Sequence, residues 1–131
     1  MRGGVMEMAF TTGLITNTRA TGTAASNVVV SVRNTSNASA MMIVEVFGVP
    51  YSTLALTPLY VTGYYVPAMS SDVREFFIAG NVAYEVQVSS PYPLANVVCS
   101  MYGLDEFGNL VTEQRVLQSE LTEITALSLP V

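Results

Sequence analysis

From Asn27 onward apolar side chains recur at every second residue, the spacing that sends neighbouring side chains to opposite faces of a strand. NVVVSVRN puts Val28, Val30 and Val32 on one face and Val29, Ser31 and Arg33 on the other. A cluster of turn formers, NTSNAS at 34–39, closes that strand. AMMIVEVFG then reads as a nearly continuous apolar strand, with Glu45 looking outward and Gly48 and Pro50 ending it. Over 51–67, Pro58, Gly63 and Pro67 interrupt a β-branched and aromatic stretch. Proline has no N–H to give a ladder, so this stretch predicts one or two short edge strands. Strands are predicted over 73–79 and 82–89 around a Gly80-Asn81 turn, the second with Val82, Tyr84, Val86 and Val88 on one face. PYP at 91–93 reads as a loop, and a hairpin follows with its tip at 105–109. In SELTEITALSL, Leu121, Glu123, Thr125 and Leu127 alternate as in a strand, while Leu117, Leu121 and Ile124 at i, i+4, i+7 keep a helix as the rival reading.

About seven or eight short strands with closely spaced turn signals predict an all-β fold: an antiparallel β-sandwich, jelly-roll or immunoglobulin-like, over residues 27–131. Residues 1–26 stand apart as an extended N-terminal arm. There Met6, Met8, Phe10 and Leu14 share one face of an extended strand, and Glu7, Thr11 and Gly13 share the other. NTRATGTAASN, which follows Ile15 and Thr16, is small and polar and reads as a flexible tether. An apolar-alternating strand on a tether has the pattern of a donor strand, which gives backbone hydrogen bonds to an open sheet edge and alternate side chains to its groove. The same period of two describes an ordinary first strand of the chain's own sandwich. The arm residues Met6, Met8, Phe10, Leu14 and Ile15 are therefore the candidate interface residues.

Composition sharpens this picture. Half of the 131 residues are hydrophobic and 11% are charged, against about 25% in typical domains. Mean hydropathy is +0.44, yet no run approaches the ~20 apolar residues of a membrane span. The excess apolar surface is therefore expected to meet protein. The net charge is −5, all five basic residues are arginine, and lysine and histidine are absent. With no basic cluster to track phosphates, nucleic acid is not an expected partner. Monomeric β-proteins often guard their edge strands with lysine, and a chain without any points to edges that are covered or that pair with other copies. Nor does the N-terminus read as a secretory signal, since Glu7 and two threonines interrupt what should be a continuous apolar run.

Candidate chemistry is mostly excluded. Without histidine there is no Ser-His-Asp or Cys-His arrangement, and without lysine no Schiff base, no P-loop lysine and no Lys–Asn cross-link. Zinc would need a cluster of Cys or His, and there is one cysteine. The ten acids single out no catalytic pair. LDEFGN, with Asp105, Glu106 and Asn109, has the composition of a calcium loop without its dense ligand spacing, and reads as a hairpin tip. No enzyme activity and no cofactor are expected. Asn34 and Asn37 head two tandem N-x-S sequons, which without a secretory signal read as turn chemistry. Tyr51, Tyr60, Tyr64 and Tyr65 offer either a sugar-binding face or a subunit interface. Cys99, at a strand-like position in NVVCSMYG, reads as a buried small hydrophobe, with an intermolecular disulfide as its alternative role.

An N-terminal arm joined to a lysine-poor sandwich resembles the small subunits of bacterial spore-surface fibres, the endospore appendage group. The likeness covers the whole chain through architecture and composition, with no specific motif. It implies a jelly-roll with a connector arm, made without a signal peptide, that assembles with copies of itself at the spore surface. The chain departs from that group in one respect: many such connectors carry cysteines that staple neighbours, and this arm has none. The expected function is a non-enzymatic structural subunit of an extracellular or spore-surface filament. The alternatives are a carbohydrate- or ligand-binding sandwich module and a viral or phage jelly-roll protein.

Overall fold

The computed structural model describes residues 8–90 and 96–129. Ten strands follow in order: β1 Met8–Thr11, β2 Ile15–Thr16, β3 Asn27–Asn34, β4 Ala40–Pro50, β5 Thr57–Val66, β6 Ser70–Phe77, β7 Asn81–Ser90, β8 Val97–Leu104, β9 Leu110–Val116 and β10 Thr122–Ile124, with a 3₁₀ turn at Gln118–Glu120. They form two antiparallel sheets packed as a β-sandwich. One has the order β10-β1-β7-β4-β5, with β2 also on β7; the other has β6-β3-β8-β9. The chain crosses between the sheets after β2, β3, β5, β6, β7 and β9 and turns back within a sheet after β4 and β8.

The alternation read from the sequence sets the core. Val28, Val30 and Val32 of β3 face Met42, Val44 and Val46 of β4 and Tyr84, Val86 and Val88 of β7 in one cluster, closed by Tyr64, Val66, Phe76, Ile78, Cys99 and Met101. Burying a valine of this kind contributes about 1.5–3 kcal/mol, so this stripe dominates the favourable side of folding. The 51–67 stretch yields one strand, β5, at a sheet edge. Its register against β4 shifts between Val46 and Phe47, which pair with Tyr60 and Pro58. The bulge therefore absorbs Leu59 beside the residue that cannot donate to a ladder. Residues 118–124 are neither a full strand nor a helix: a 3₁₀ turn leads into the three residues of β10.

Two expectations are corrected. Glu45 does point away from the core between the sheets, but it is 0% exposed, because residues 125–129 fold back across the outer face of β4 and β7. Gln87, bonded to Ser128 under the same cover, and Ser89 are buried too, so β7 is buried on both faces over 86–89. The supposed tether is also part of the fold. Ala25 belongs to the core cluster, Thr18 bridges Thr23, and Asn17 is wholly buried. The loop expected at 91–93 and the arm residue Met6 lie outside the described residues.

Candidate functional site: the slot filled by the N-terminal arm

Residues 8–16 run along β7 from Ser90 to Ala83. Met8, Ala9, Phe10 and Thr11 pair with Ser90, Ser89, Val88 and Gln87; Ile15 and Thr16 then pair with Tyr84 and Ala83. Between them the chain bulges out at 12–14. The Thr12 N–H donates to the Val86 carbonyl over 3.0 Å, and the Val86 N–H donates to the Thr12 hydroxyl over 3.0 Å. Gly13 takes φ +68°, a left-handed conformation suited to glycine, and nothing lies near the place its Cβ would occupy. The other edge of β1 is paired too: Ala9, Phe10 and Thr11 lie opposite Ile124, Glu123 and Thr122 of β10. This short strand therefore fills a slot between β7 and β10, hydrogen-bonded on both sides.

The candidate interface residues divide. Phe10 and Ile15 pack against the core cluster. The backbone of Met8 continues the ladder. Leu14, on the bulge, is 62% exposed. Beside Phe10, Ala9 and Thr11 point to the opposite face and are buried there. The Thr11 hydroxyl donates to Glu85 Oε2, which also accepts from the Gln87 amide at 2.9 Å.

Past the slot the chain is locked by a side chain with no sequence signature. Asn17 Nδ2 donates to the carbonyls of Ala25 and Asn81, each over 3.0 Å, and Asn17 Oδ1 accepts from the Ala25 N–H at 2.7 Å. Gln114 of β9 joins in. Its Nε2 donates to Asn17 Oδ1 at 2.9 Å and to the Thr16 carbonyl at 3.1 Å, while its Oε1 accepts from the Tyr84 hydroxyl at 2.6 Å. A groove of about 500 Å3 opens above this network, between Leu14, Ile15 and Thr16 of the arm and Val111 and Glu113 of β9.

The other candidates are occupied by structural roles. Asp105 Oδ1 accepts from the N–H groups of Phe107 and Asn109, both at 2.9 Å, as a hairpin tip requires, and Glu106 pairs with Arg19 at 2.7 Å. No group of three or more potential metal ligands occurs among the described residues. Tyr64 is buried with the Arg74 guanidinium 3.7 Å above its ring, and the Tyr60 hydroxyl donates to the Phe77 carbonyl, which leaves Tyr51 and Tyr65 as the open tyrosines of that group. Asn34 is buried, its amide donating to the carbonyls of Ala38, Val66 and Pro67. Cys99 is 3% exposed and faces the core beside Val32, where burial pushes its thiol up to about 12. A bridge to a neighbour would need that thiol at the surface. No helix of the described residues is long and apolar enough to cross a membrane.

No family model matches the sequence, and no curated protein does. Among solved structures the chain is similar to the crystal structure of Thermotoga maritima 1070, at 14% identity and a TM-score of 0.42, over 93% of this chain and 94% of that one.

Proposed function

We propose that the chain is a non-enzymatic structural subunit that assembles with copies of itself into an extracellular or spore-surface filament, the N-terminal strand of one copy entering the slot between β7 and β10 of the next. The observation that carries this reading is the slot: β1 is hydrogen-bonded along both edges yet joined to the rest of its chain only through the bulge at 12–14. Exchanging such a strand between copies conserves every contact it makes, and a head-to-tail exchange that does not close by rotation generates an open filament. Asn17, held from three sides, stays in its own subunit, so the exchanging segment ends before Asn17. Further support comes from the edge strands, where Val61 and Tyr65 of β5 and Val73 and Phe77 of β6 are exposed in a chain without lysine. The location rests on the resemblance drawn from the sequence.

The test is deletion of residues 1–11, which leaves the Asn17 network intact. The truncated protein is expected to keep its β-sheet circular dichroism while negative-stain microscopy shows fibres only from the full chain. Fibres from the truncated protein, or none from the full chain, would overturn the reading.

A further inference from the structure

Glu45 is a carboxyl sealed under a strap. Its Oε1 accepts one hydrogen bond, from the Leu129 N–H at 3.1 Å, and its Oε2 has no partner among the described residues. The strap, residues 125–129, is held beside it by a two-way pair: the Ser128 N–H donates to Gln87 Oε1 and Gln87 Nε2 donates to the Ser128 hydroxyl, each over 2.8 Å. Among the described residues, the groups around Glu45 on this face offer no positive charge. Val61 of β5 and Gln87 of β7 lie directly across from it, Phe47 and Ile43 flank it along β4, and the strap brings Ser128 and Leu129. The described titratable side chains sharing the face are Glu85, two residues along β7 from Gln87, and the exposed Tyr65. Among the described arginines, Arg19 and Arg74 are engaged elsewhere, Arg33 lies on the other sheet and Arg115 is exposed.

A buried carboxylate with no cation and one neutral donor is costly, whereas a neutral carboxyl in the same place loses only unmade hydrogen bonds. We infer that residues 125–129 form a pH-sensitive strap, closed over the sheet while Glu45 is protonated and released as Glu45 ionises. Release uncovers Glu45 and Gln87 next to the partly open apolar side chains of Met41, Ile43, Val61 and Tyr65. Burial raises the pKa of Glu45 and the Leu129 N–H opposes it, which agrees in sign. The closed state holds the proton more tightly than the open one, so closure is fully favoured below the ordinary glutamate range and weakens as pH rises through the raised value. This device stands independently of filament assembly.

Hydrogen-exchange mass spectrometry on the C-terminal peptide of the full chain, corrected for intrinsic exchange, tests it from pH 4 to 8. The wild type is expected to lose strap protection as pH rises, and Glu45→Gln to keep it throughout. Gln87→Ala, which removes both bonds to Ser128 and leaves the carboxyl in place, is expected to lack protection at every pH. Protection in the wild type that is flat or increases with pH overturns the inference. So does the wild-type pH dependence persisting in Glu45→Gln or, should that variant not fold, in Gln87→Ala.

Discussion

The side-chain amide of Gln114 donates to Asn17 Oδ1 over 2.9 Å, joining the end of the N-terminal arm to β9 across 97 residues of sequence. Both residues are buried, and with Tyr84 they form a continuous polar chain through the base of the sandwich. Truncating Gln114→Ala leaves the Tyr84 hydroxyl without its acceptor and Asn17 without one donor, a loss of about 2–4 kcal/mol by the cost of orphaned buried groups and the space left behind. The urea midpoint is expected to fall accordingly with an unchanged slope. A midpoint within error of the wild type would mean that water replaces the amide without cost.

Gly103 makes room for that amide. A Cβ at 103 would run into Gln114 Oε1 and come within 3.0 Å of Ala25 Cβ. Gly103→Ala is expected to cost about 1–3 kcal/mol, as overpacking does. Because Gln114→Ala vacates the space the methyl needs, the double variant is expected to lose less than the sum of the two, by about 0.5–3 kcal/mol. Simple additivity in the denaturation cycle would show that the two positions do not share this space.

What the sequence made legible follows the range of the interactions. Val28, Val30 and Val32, or Tyr84, Val86 and Val88, declare a core face because a strand's period of two is local. Glu45 was equally legible as pointing away from that face. Its burial was not, because the cover comes from Leu129, 84 residues further on, and a tertiary cap leaves no trace in the alternation around Glu45. Asn17 sits within a run of small polar residues that composition alone makes a tether. Only the contacts with Asn81 and Gln114 turn that run into a buried junction. For the arm itself, alternation identifies a strand with Phe10 on its apolar face, though it puts Leu14 there too, which the bulge leaves exposed; the same hydrogen bonds form whether the slot belongs to the same chain or to a neighbour.

Alkaline pH is expected to destabilise the fold through Cys99. Burial raises its thiol from 9.0 to about 12, so between those values the unfolded chain releases a proton that the folded chain keeps. Stability is therefore intact below pH 9 and falls above it by about 1.4 kcal/mol per pH unit for this group. Tyr64 and Tyr84, raised above 10 chiefly by burial, steepen the decline at higher pH. Urea midpoints at pH 8, 9 and 10 are expected to decline less in Cys99→Ala than in the wild type. Parallel declines would remove the thiol from the account. The native thiol is also expected to resist a water-soluble disulfide reagent at pH 8 and to react once urea is added.

Locking the arm in its own subunit separates an ordinary first strand from a donated one. Ala9 and Ser89 are register partners across β1 and β7, so cysteines at both positions, in a Cys99→Ala background, can close a bridge within one chain. If assembly proceeds by exchange of β1, the oxidised variant is expected to stay monomeric on size exclusion, and reduction to restore fibres. The order of steps supplies a second reading of the same variant. Oxidation after assembly should give bridges between chains, seen as ladders on a non-reducing gel, because the strand beside each Ser89→Cys then belongs to a neighbour. Fibres that form from fully bridged single chains, or only intrachain bridges after assembly, would assign β1 to its own sandwich and leave the exposed edges of β5 and β6 as the surfaces through which copies could meet.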